Sequence, residues 1–410
     1  MYRFKPVTSL IAVLLAGWLQ PSLAQSNDDD PLALKLANAV SPDRFFVRAG
    51  VIGVKIKTKS GDAYDVTGPL ITLQELEEMR TTDVIARALV ANGVSEDDAE
   101  TVRGTLADND IAGLVTIIDS MEERGLTALG APRGVKAVAK ESIGTAGLSV
   151  GMFLDDEYKW AVEAYVLAKP PSASVNISGP SMILPPQTGV TDVLQPFPIQ
   201  GQKIITTKLF PPLLMLGRYW GSKESKFRPY TGLIGMYAMF YDTKATDTLN
   251  YFVGGQNPGD TTVSFKNTFG MGPMLGGKFQ FNDTWHVNLN IGHVKLKTVG
   301  TLVTRNTLLN AKTTGVNAYG DLVDTYTTGS ITNTLKAAEG SFWAPNFAQF
   351  LDPTKFDSVR NVVSRVVAYQ RHIAAGGDPN VAPSSQGTFV RKSEATLQNT
   401  LFMLSVGRTF

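Results

Sequence analysis

The sequence predicts an all-β transmembrane barrel of eight antiparallel strands in up-and-down order, with helical insertions in its external loops. Three observations lead there. The segment 396–410, TLQNTLFMLSVGRTF, sets Phe410, Arg408, Val406, Leu404 and Phe402 in one row, apolar but for the arginine. A period of two is one face of a β-strand. At the edge of a soluble sheet such a strand would template aggregation, whereas a closed membrane barrel needs it to meet the first strand. The other two observations are an export signal with no helical span behind it, and connections whose lengths alternate.

The export signal comes first in the chain. Arg3 and Lys5 precede the apolar run 10–19, and Ser22-Leu23-Ala24 offers small residues for cleavage after Ala24. Residues 1–24 therefore form a secretory signal peptide, because the run falls short of the ~20 residues that span a bilayer. The polar and acidic stretch that follows makes 25–43 a periplasmic leader. No later segment reaches the length of a membrane helix, so 44–410 enters the outer membrane of a Gram-negative cell as a barrel.

Composition narrows the partners. A net charge of +1 gives no bulk field for nucleic acid, and the absence of cysteine removes disulfides, thiolate metal sites and cysteine nucleophiles. The 38 glycines and 22 prolines are compatible with many strands and turns.

Eight segments have strand character: 44–58, 146–154, 158–168, 203–220, 227–242, 263–281, 284–304 and 396–410. Most exceed the ~9–11 residues that cross a bilayer as a tilted strand. Trp285, Val287, Leu289 and Ile291 alternate with His286, Asn288, Asn290 and Gly292, one row for lipid and one for a lumen. Trp160, Val162, Ala164 and Val166 alternate with Ala161, Glu163, Tyr165 and Leu167, which turns Glu163 inward. Phe45, Val47, Ala49 and Val51 alternate with Phe46, Arg48, Gly50 and Ile52, with Arg48 inward. Stretches 213–216 and 233–241 are apolar on both faces, as an apolar lumen or packing under a loop would make them.

Connection length sorts by parity. The odd connections, 59–145, 169–202, 243–262 and 305–395, are long, and the even ones, 155–157, 221–226 and 282–283, are short. Short periplasmic turns and long external loops have this order. Tyr158, Trp160, Trp220, Phe227, Tyr230, Phe279, Phe281 and Trp285 lie beside the short turns, as an interfacial girdle does.

The first insertion, 59–145, is helical. Thr72-Leu73-Gln74-Glu75 is a capping box for a helix ending near Gly93. Ser95 with Glu96, Asp97 and Asp98 opens a second helix, acids placed where the helix dipole favours them. Asp108 caps a third with Ile111, Leu114, Val115, Ile118 and Met121 on one face. Such faces bury on one another, or seat over the barrel mouth. In the fourth loop, 305–395, Asp352-Pro353 starts a helix near 353–374 with a valine stripe and a basic edge of Lys355, Arg360, Arg365 and Arg371. That edge is a solvated face, or one lying on outer-leaflet lipopolysaccharide.

Catalysis and metal binding find little support. Gly147-Leu148-Ser149-Val150-Gly151 matches the G-x-S-x-G elbow, but it lies inside a strand rather than at the strand-to-helix bend the chemistry needs. His286 and His293 face opposite sides of one strand, and Asp28 to Asp30 lacks the glycine and distal glutamate of a calcium loop. No cofactor, no metal and no enzyme activity is expected.

Strand parity gives the lumen: Arg48, Ser149, Phe153, Glu163, Tyr165, His286, Asn288 and Asn290. Leu209, Leu213, Met215 and Tyr219, or their opposite-parity neighbours, supply an apolar constriction around Pro211 and Pro212. Prolines cannot donate to the ladder, which fits a lateral opening or a plain bulge.

Several segments resemble the OmpW family of outer-membrane proteins. They are RAGVIGV (48–54), GLSVGMFLDDEYKWAVEAYV (147–166), TTKLFPPLLMLGRYW (206–220), FRPYTGLIGMYAMFYD (227–242) and the closing strand. Lys208-Leu209-Phe210-Pro211-Pro212-Leu213, similar to the family's Leu-Pro-Pro segment, is the most specific. The resemblance implies an eight-stranded barrel with a narrow hydrophobic lumen, passing small apolar molecules to an opening in its wall, as alkane-import channels do. The first and fourth connections are far longer than a typical member's. The expected function is passive uptake of a small hydrophobic ligand. The alternatives are a plugged barrel displaying its insertions as receptor or adhesin, and a hydrolase resting on Ser149.

Overall fold

The computed structural model describes residues 42–109, 118, 122, 127–131, 134–179, 182–184, 193–195, 199–308 and 359–410. The expected signal peptide, most of the leader, the apolar face at 111–117 and the polar half of the fourth connection lie outside the described residues.

Alternating side chains and short polar turns fold the chain into eight legs. These are β1 (Phe45–Ser60), β2 (Lys136–Phe153), β3 (Trp160–Leu167) continued by β4 (Ser172–Ser178), and β5 (Lys203–Phe210) continued by β6 (Leu213–Tyr219). Then come β7 (Phe227–Ala245), β8 (Thr261–Phe265) continued by β9 (Thr268–Gln280), β10 (Trp285–Thr304) and β11 (Phe389–Thr409). Every neighbouring pair is antiparallel, and the sheet closes on itself. Val47 of β1 faces Val150 of β2 on one side and Arg408 of β11 on the other. Closure leaves no unpaired edge, the requirement set by a medium without water.

The short turns are made by side chains that mimic backbone. Asp155 accepts from the amides of Lys159 (3.0 Å) and Trp160 (2.7 Å), and Asn282 accepts from Thr284 (3.0 Å) and Trp285 (2.8 Å).

Inside and outside follow parity. On β10, Trp285 and Leu289 are exposed while His286, Asn288, Asn290 and Gly292 are buried. Farther along, the outward row changes character: His293, Lys295 and Lys297 follow on β10, and Lys55, Lys57 and Lys59 follow Val51 on β1. The nine residues 285–293 rise about 20 Å at ~3.3 Å each and a tilt near ~40°. That is close to the ~25 Å apolar band of an outer-membrane wall. The legs go on past the lysines on the long-loop side.

This extension accounts for where expected strand limits differ from observed ones. β2 begins at Lys136 rather than 146, β11 at Phe389 rather than 396, and the third leg resumes after 168 as β4. Apolar alternation fades where the outer face meets water, but backbone pairing continues. At 170–171 and 211–212, proline pairs interrupt adjoining legs. Between the paired residues Tyr165↔Leu213 and Ser172↔Lys208, six residues (166–171) oppose four (209–212). Among the described residues they share one backbone bond, Leu209 N–H to the Pro171 carbonyl at 2.9 Å.

The long connections carry helices α1 (Leu73–Glu78), α2 (Thr82–Ala91), α3 (Glu96–Asn109), α4 (Asp247–Phe252) and α5 (Val359–Ala374). The capping box at Thr72 and Glu75 forms in both directions, but the helix it opens stops at Glu78 and restarts as α2. Asp108 is helical within α3 rather than a cap. Apolar faces of both insertions join one cluster with the strand ends. Leu70, Leu76, Met79, Leu89, Val102, Val362, Val366 and Val367 pack with Ile177, Ile204, Phe252 and Phe389. In this cluster the helices touch one another and the ends of the strands. The basic edge of α5 turns inward in part: Arg371 binds Glu75, and Arg365 donates to the Ser384 carbonyl at 3.0 Å.

Candidate functional site

The interior of the ring divides into three layers. At the short-turn side lies a polar floor. Arg48, inward on β1 because Val47 and Ala49 face out, ion-pairs with Glu163 of β3. Its Nε donates to His286 Nε2 at 3.0 Å, and its outer nitrogen to the Tyr219 hydroxyl at 3.3 Å. Ser149 Oγ donates to the other Glu163 oxygen at 2.6 Å. The Phe46 ring lies 4.1 Å from the guanidinium carbon. An accepting Nε2 puts the His286 proton on Nδ1, so the imidazole is neutral here. Nearby, Asn288 donates to the Tyr230 hydroxyl at 2.8 Å.

The floor is sealed by aromatics. Phe153 stacks on Tyr158 with centroids 4.5 Å apart, and Tyr219 on Tyr230 at the same separation. Tyr158 lies in the turn below, with φ at 54°. Its hydroxyl donates to Asp43 at 3.0 Å, and burial together with that contact pushes it up to about 12.

Above the floor the lining is mostly apolar: Ile52, Val54, Leu209, Leu213, Met215, Ile234, Met236, Met274, Leu401 and Met403 are buried in one cluster, with the Asn399 amide donating to Met236 Sδ at 3.6 Å. The proline breaks of the wall adjoin this layer through Leu209 and Leu213. Higher still, at the long-loop side, a cavity of about 140 Å³ lies in the mouth. Ile177, Ile204, Ile205, Leu249, Phe252, Val253, Val263, Phe265 and Leu302 line it, with Lys136, Arg391 and Lys392 among its polar members. Arg391 holds Asp65 at 2.8 Å, and Lys136 pairs with Asp62. A dry apolar cavity of about this size, ~150 Å³, admits a molecule such as benzene.

Sequence parity pointed to eight polar-side lumen residues and six constriction residues, and all of them are drawn into the wall or the interior. Arg48, Ser149, Glu163 and His286 meet in one network. Phe153 and Asn288 lie beside it, and Tyr165 and Asn290 are buried without a side-chain hydrogen bond among the described residues. Leu209, Pro211, Leu213 and Met215 are buried in the middle layer, with Pro212 half-buried at the break. Tyr219 is buried in the same apolar cluster, and its hydroxyl reaches Arg48, so it joins that layer to the floor. Two floor cations, Arg228 and Lys278, escaped the sequence reading. Parity beside outward Phe227 and Phe279 carries the signal for both. The mouth cavity has no local signal at all, since its lining comes from many separate segments.

The OmpW family model matches residues 111–316, half of the chain. The chain belongs to the OmpW family. Over 95 residues it is 32% identical to outer membrane protein W of Salmonella typhimurium, covering 23% of this chain and 42% of that one. The same length is 30% identical to outer membrane protein W of Vibrio cholerae, covering 23% and 41%. The chain thus spans about two-fifths of the length of the curated relatives it matches. Among solved structures, outer membrane protein OprG from Pseudomonas aeruginosa is similar at a TM-score of 0.42 and 13% identity, over 89% of this chain and 95% of that one. As an OmpW family member the protein resides in the outer membrane as a β-barrel. The Ser149 hydroxyl is bonded to Glu163 inside a strand, with Arg48 between it and His286.

Proposed function

We propose that the protein is a channel for passive uptake of small hydrophobic molecules, which leave the lumen sideways. One observation carries the reading. Apolar lining runs from the mouth cavity to the level of the proline breaks, and directly beneath it the Arg48–Glu163 floor closes the ring. An eight-stranded interior holds at most one small ligand, so bulk flow of ions is not its task. A molecule that reaches Leu209 and Leu213 meets the gap in pairing between the third and fourth legs and a polar floor. The wall is the easier way out. On this reading the long loops face outward, and Lys55, Lys57, Lys295 and Lys297 stand at the height of lipopolysaccharide phosphates.

Uptake of a small hydrophobic compound into liposomes carrying the protein tests the proposal. Leu213→Asp and Met215→Asp place a charge in the apolar layer and should abolish uptake while the ring stays folded by circular dichroism. Unchanged uptake in both folded variants sinks it. A second reading, a plugged barrel displaying its insertions as receptor or adhesin, draws on the dense seating of the helices over the mouth. It requires surface binding that survives Leu213→Asp.

A further inference from the structure

Arg228 of β7 and Lys278 of β9 are directly paired across the sheet, and both side chains point into the floor. They are 1% and 4% exposed. Like charges directly opposite on one face repel, and a buried cation without a counter-charge is expensive. Yet the floor holds three cations, Arg48, Arg228 and Lys278, against the single carboxylate of Glu163. That carboxylate is already engaged by Arg48 and Ser149.

The two paired cations have few close partners: the Arg228 guanidinium carbon lies 5.4 Å from the Tyr219 ring centroid, and the turn carboxylates of Asp155 and Glu224 act on it from beyond ion-pair distance. Arg228 gives one nitrogen to the Tyr158 carbonyl at 2.7 Å, while its Nε and remaining terminal nitrogen are buried without a hydrogen-bond partner. Lys278 lies with its ammonium 5.3 Å from the Phe153 ring centroid. Among the described residues no carboxylate comes within ion-pair distance of either.

We propose that this pair is a binding site for an anionic head group, a carboxylate by preference, at the foot of an apolar chain lying in the lumen. The two unused guanidinium nitrogens lie on different edges of its plane, so each offers a charged donor of its own, and the ammonium adds a point charge beside them. Next to the pair on the lumen side the Tyr230 ring packs over Gly276, and beyond it Met274 and Ile234 belong to the same apolar cluster, so a short alkyl tail would run past Tyr230 to find burial. The ligand class is a small amphiphilic carboxylate. The inference rests on the lumen being the ligand path proposed above, and it names what that path holds most tightly.

Calorimetric titration of the full-length protein in uncharged detergent at neutral pH tests it, with octanoate, 1-octanol and acetate as probes. Octanoate should bind about tenfold tighter than octanol, the scale of one charge-assisted contact, and acetate far more weakly than either. Lys278→Met should bring the octanoate preference close to one, and Lys278→Arg should keep most of it. Equal affinity for octanoate and octanol in the wild type overturns the anion site while leaving the apolar path standing. Acetate binding as tightly as octanoate overturns the amphiphile assignment. No binding of octanoate or octanol overturns the path and the site together. A preference that persists in folded Lys278→Met and Arg228→Met removes these two residues from the explanation.

Discussion

Arg371 of α5 donates to both oxygens of Glu75 at the start of α1, at 2.5 and 2.9 Å, across 296 positions of sequence. The same guanidinium reaches the carbonyl of Leu70 at 3.0 Å, and Gln386 reaches that carbonyl at 2.8 Å. The contact joins the first insertion to the fourth. Burial pushes the Glu75 carboxyl up, but Arg371 and the Thr72 hydrogen bonds outweigh it and hold the group below its ordinary value. A lowered folded value means the contribution is present above the unfolded value, about 4.3, and is lost as pH falls through the folded one. Hydrogen exchange should therefore show α1 and α5 loosening below about pH 4. In Arg371→Gln they should already be loose at neutral pH, with the ring strands unchanged. Equal protection of α1 in variant and wild type would refute the latch.

Glu163→Gln leaves Arg48 buried without its counter-charge, which costs about 3–5 kcal/mol. Replacing both, as Arg48→Leu with Glu163→Met, should restore most of that loss, because a buried pair exchanged for apolar groups is often neutral. Urea unfolding in lipid vesicles reads both variants. A double variant as unstable as the single would show that the floor depends on its charges rather than tolerating them.

Gly50 of β1 lies directly opposite Ser405 of β11. A Cβ there would meet the Leu404 carbonyl oxygen, with Ser405 Cα at 2.6 Å, and neither can retreat without breaking the ladder. Gly50→Val should cost more than about 4 kcal/mol, beyond the ordinary range for one substitution. Gly144, with nothing within 4 Å of its added Cβ, is the control. Gly144→Val should stay within about 0.5 kcal/mol of wild type. Heat-dependent mobility on gels distinguishes closed ring from open chain, and a closed Gly50→Val ring would contradict the close approach.

The proline breaks make a kinetic claim. Valine at Pro170, Pro171, Pro211 and Pro212 restores four amide donors to the wall. If solutes leave there, uptake should fall by about tenfold, equivalent to roughly 1.4 kcal/mol on the barrier. Ring folding should be unaffected or improved. Full uptake by the repaired wall would move the exit elsewhere.

Much of this architecture was legible in alternation and loop length, and its failures have separate causes. Parity read Arg48, Glu163 and His286 into the interior because lipid-facing neighbours flank each of them. Stretches 213–216 and 233–241 blurred because both faces are apolar: Leu214 and Leu233 meet lipid while Leu213 and Ile234 line the lumen. Their ambiguity marks the apolar layer itself. Pro170 and Pro171 looked like a strand end, since a local reading does not reveal that pairing resumes at Ser172. The crowding of Arg228 against Lys278 depends on a register between distant segments, which no single segment contains.

The wall stands taller than the lipid it crosses. Residues 298–304 of β10 continue past Lys297, and the cavity in the mouth is lined at that height by Gly300, Thr301 and Leu302. A hydrophobic solute taken up there sheds its hydration shell in open water, gaining roughly 25 cal/mol for each Å² covered. If the protein takes up such solutes, they need not dissolve in the lipopolysaccharide leaflet. On the uptake reading, the gradient that drives passage is set by the concentration in the surrounding medium, and the slow partition into the leaflet drops out of the kinetics.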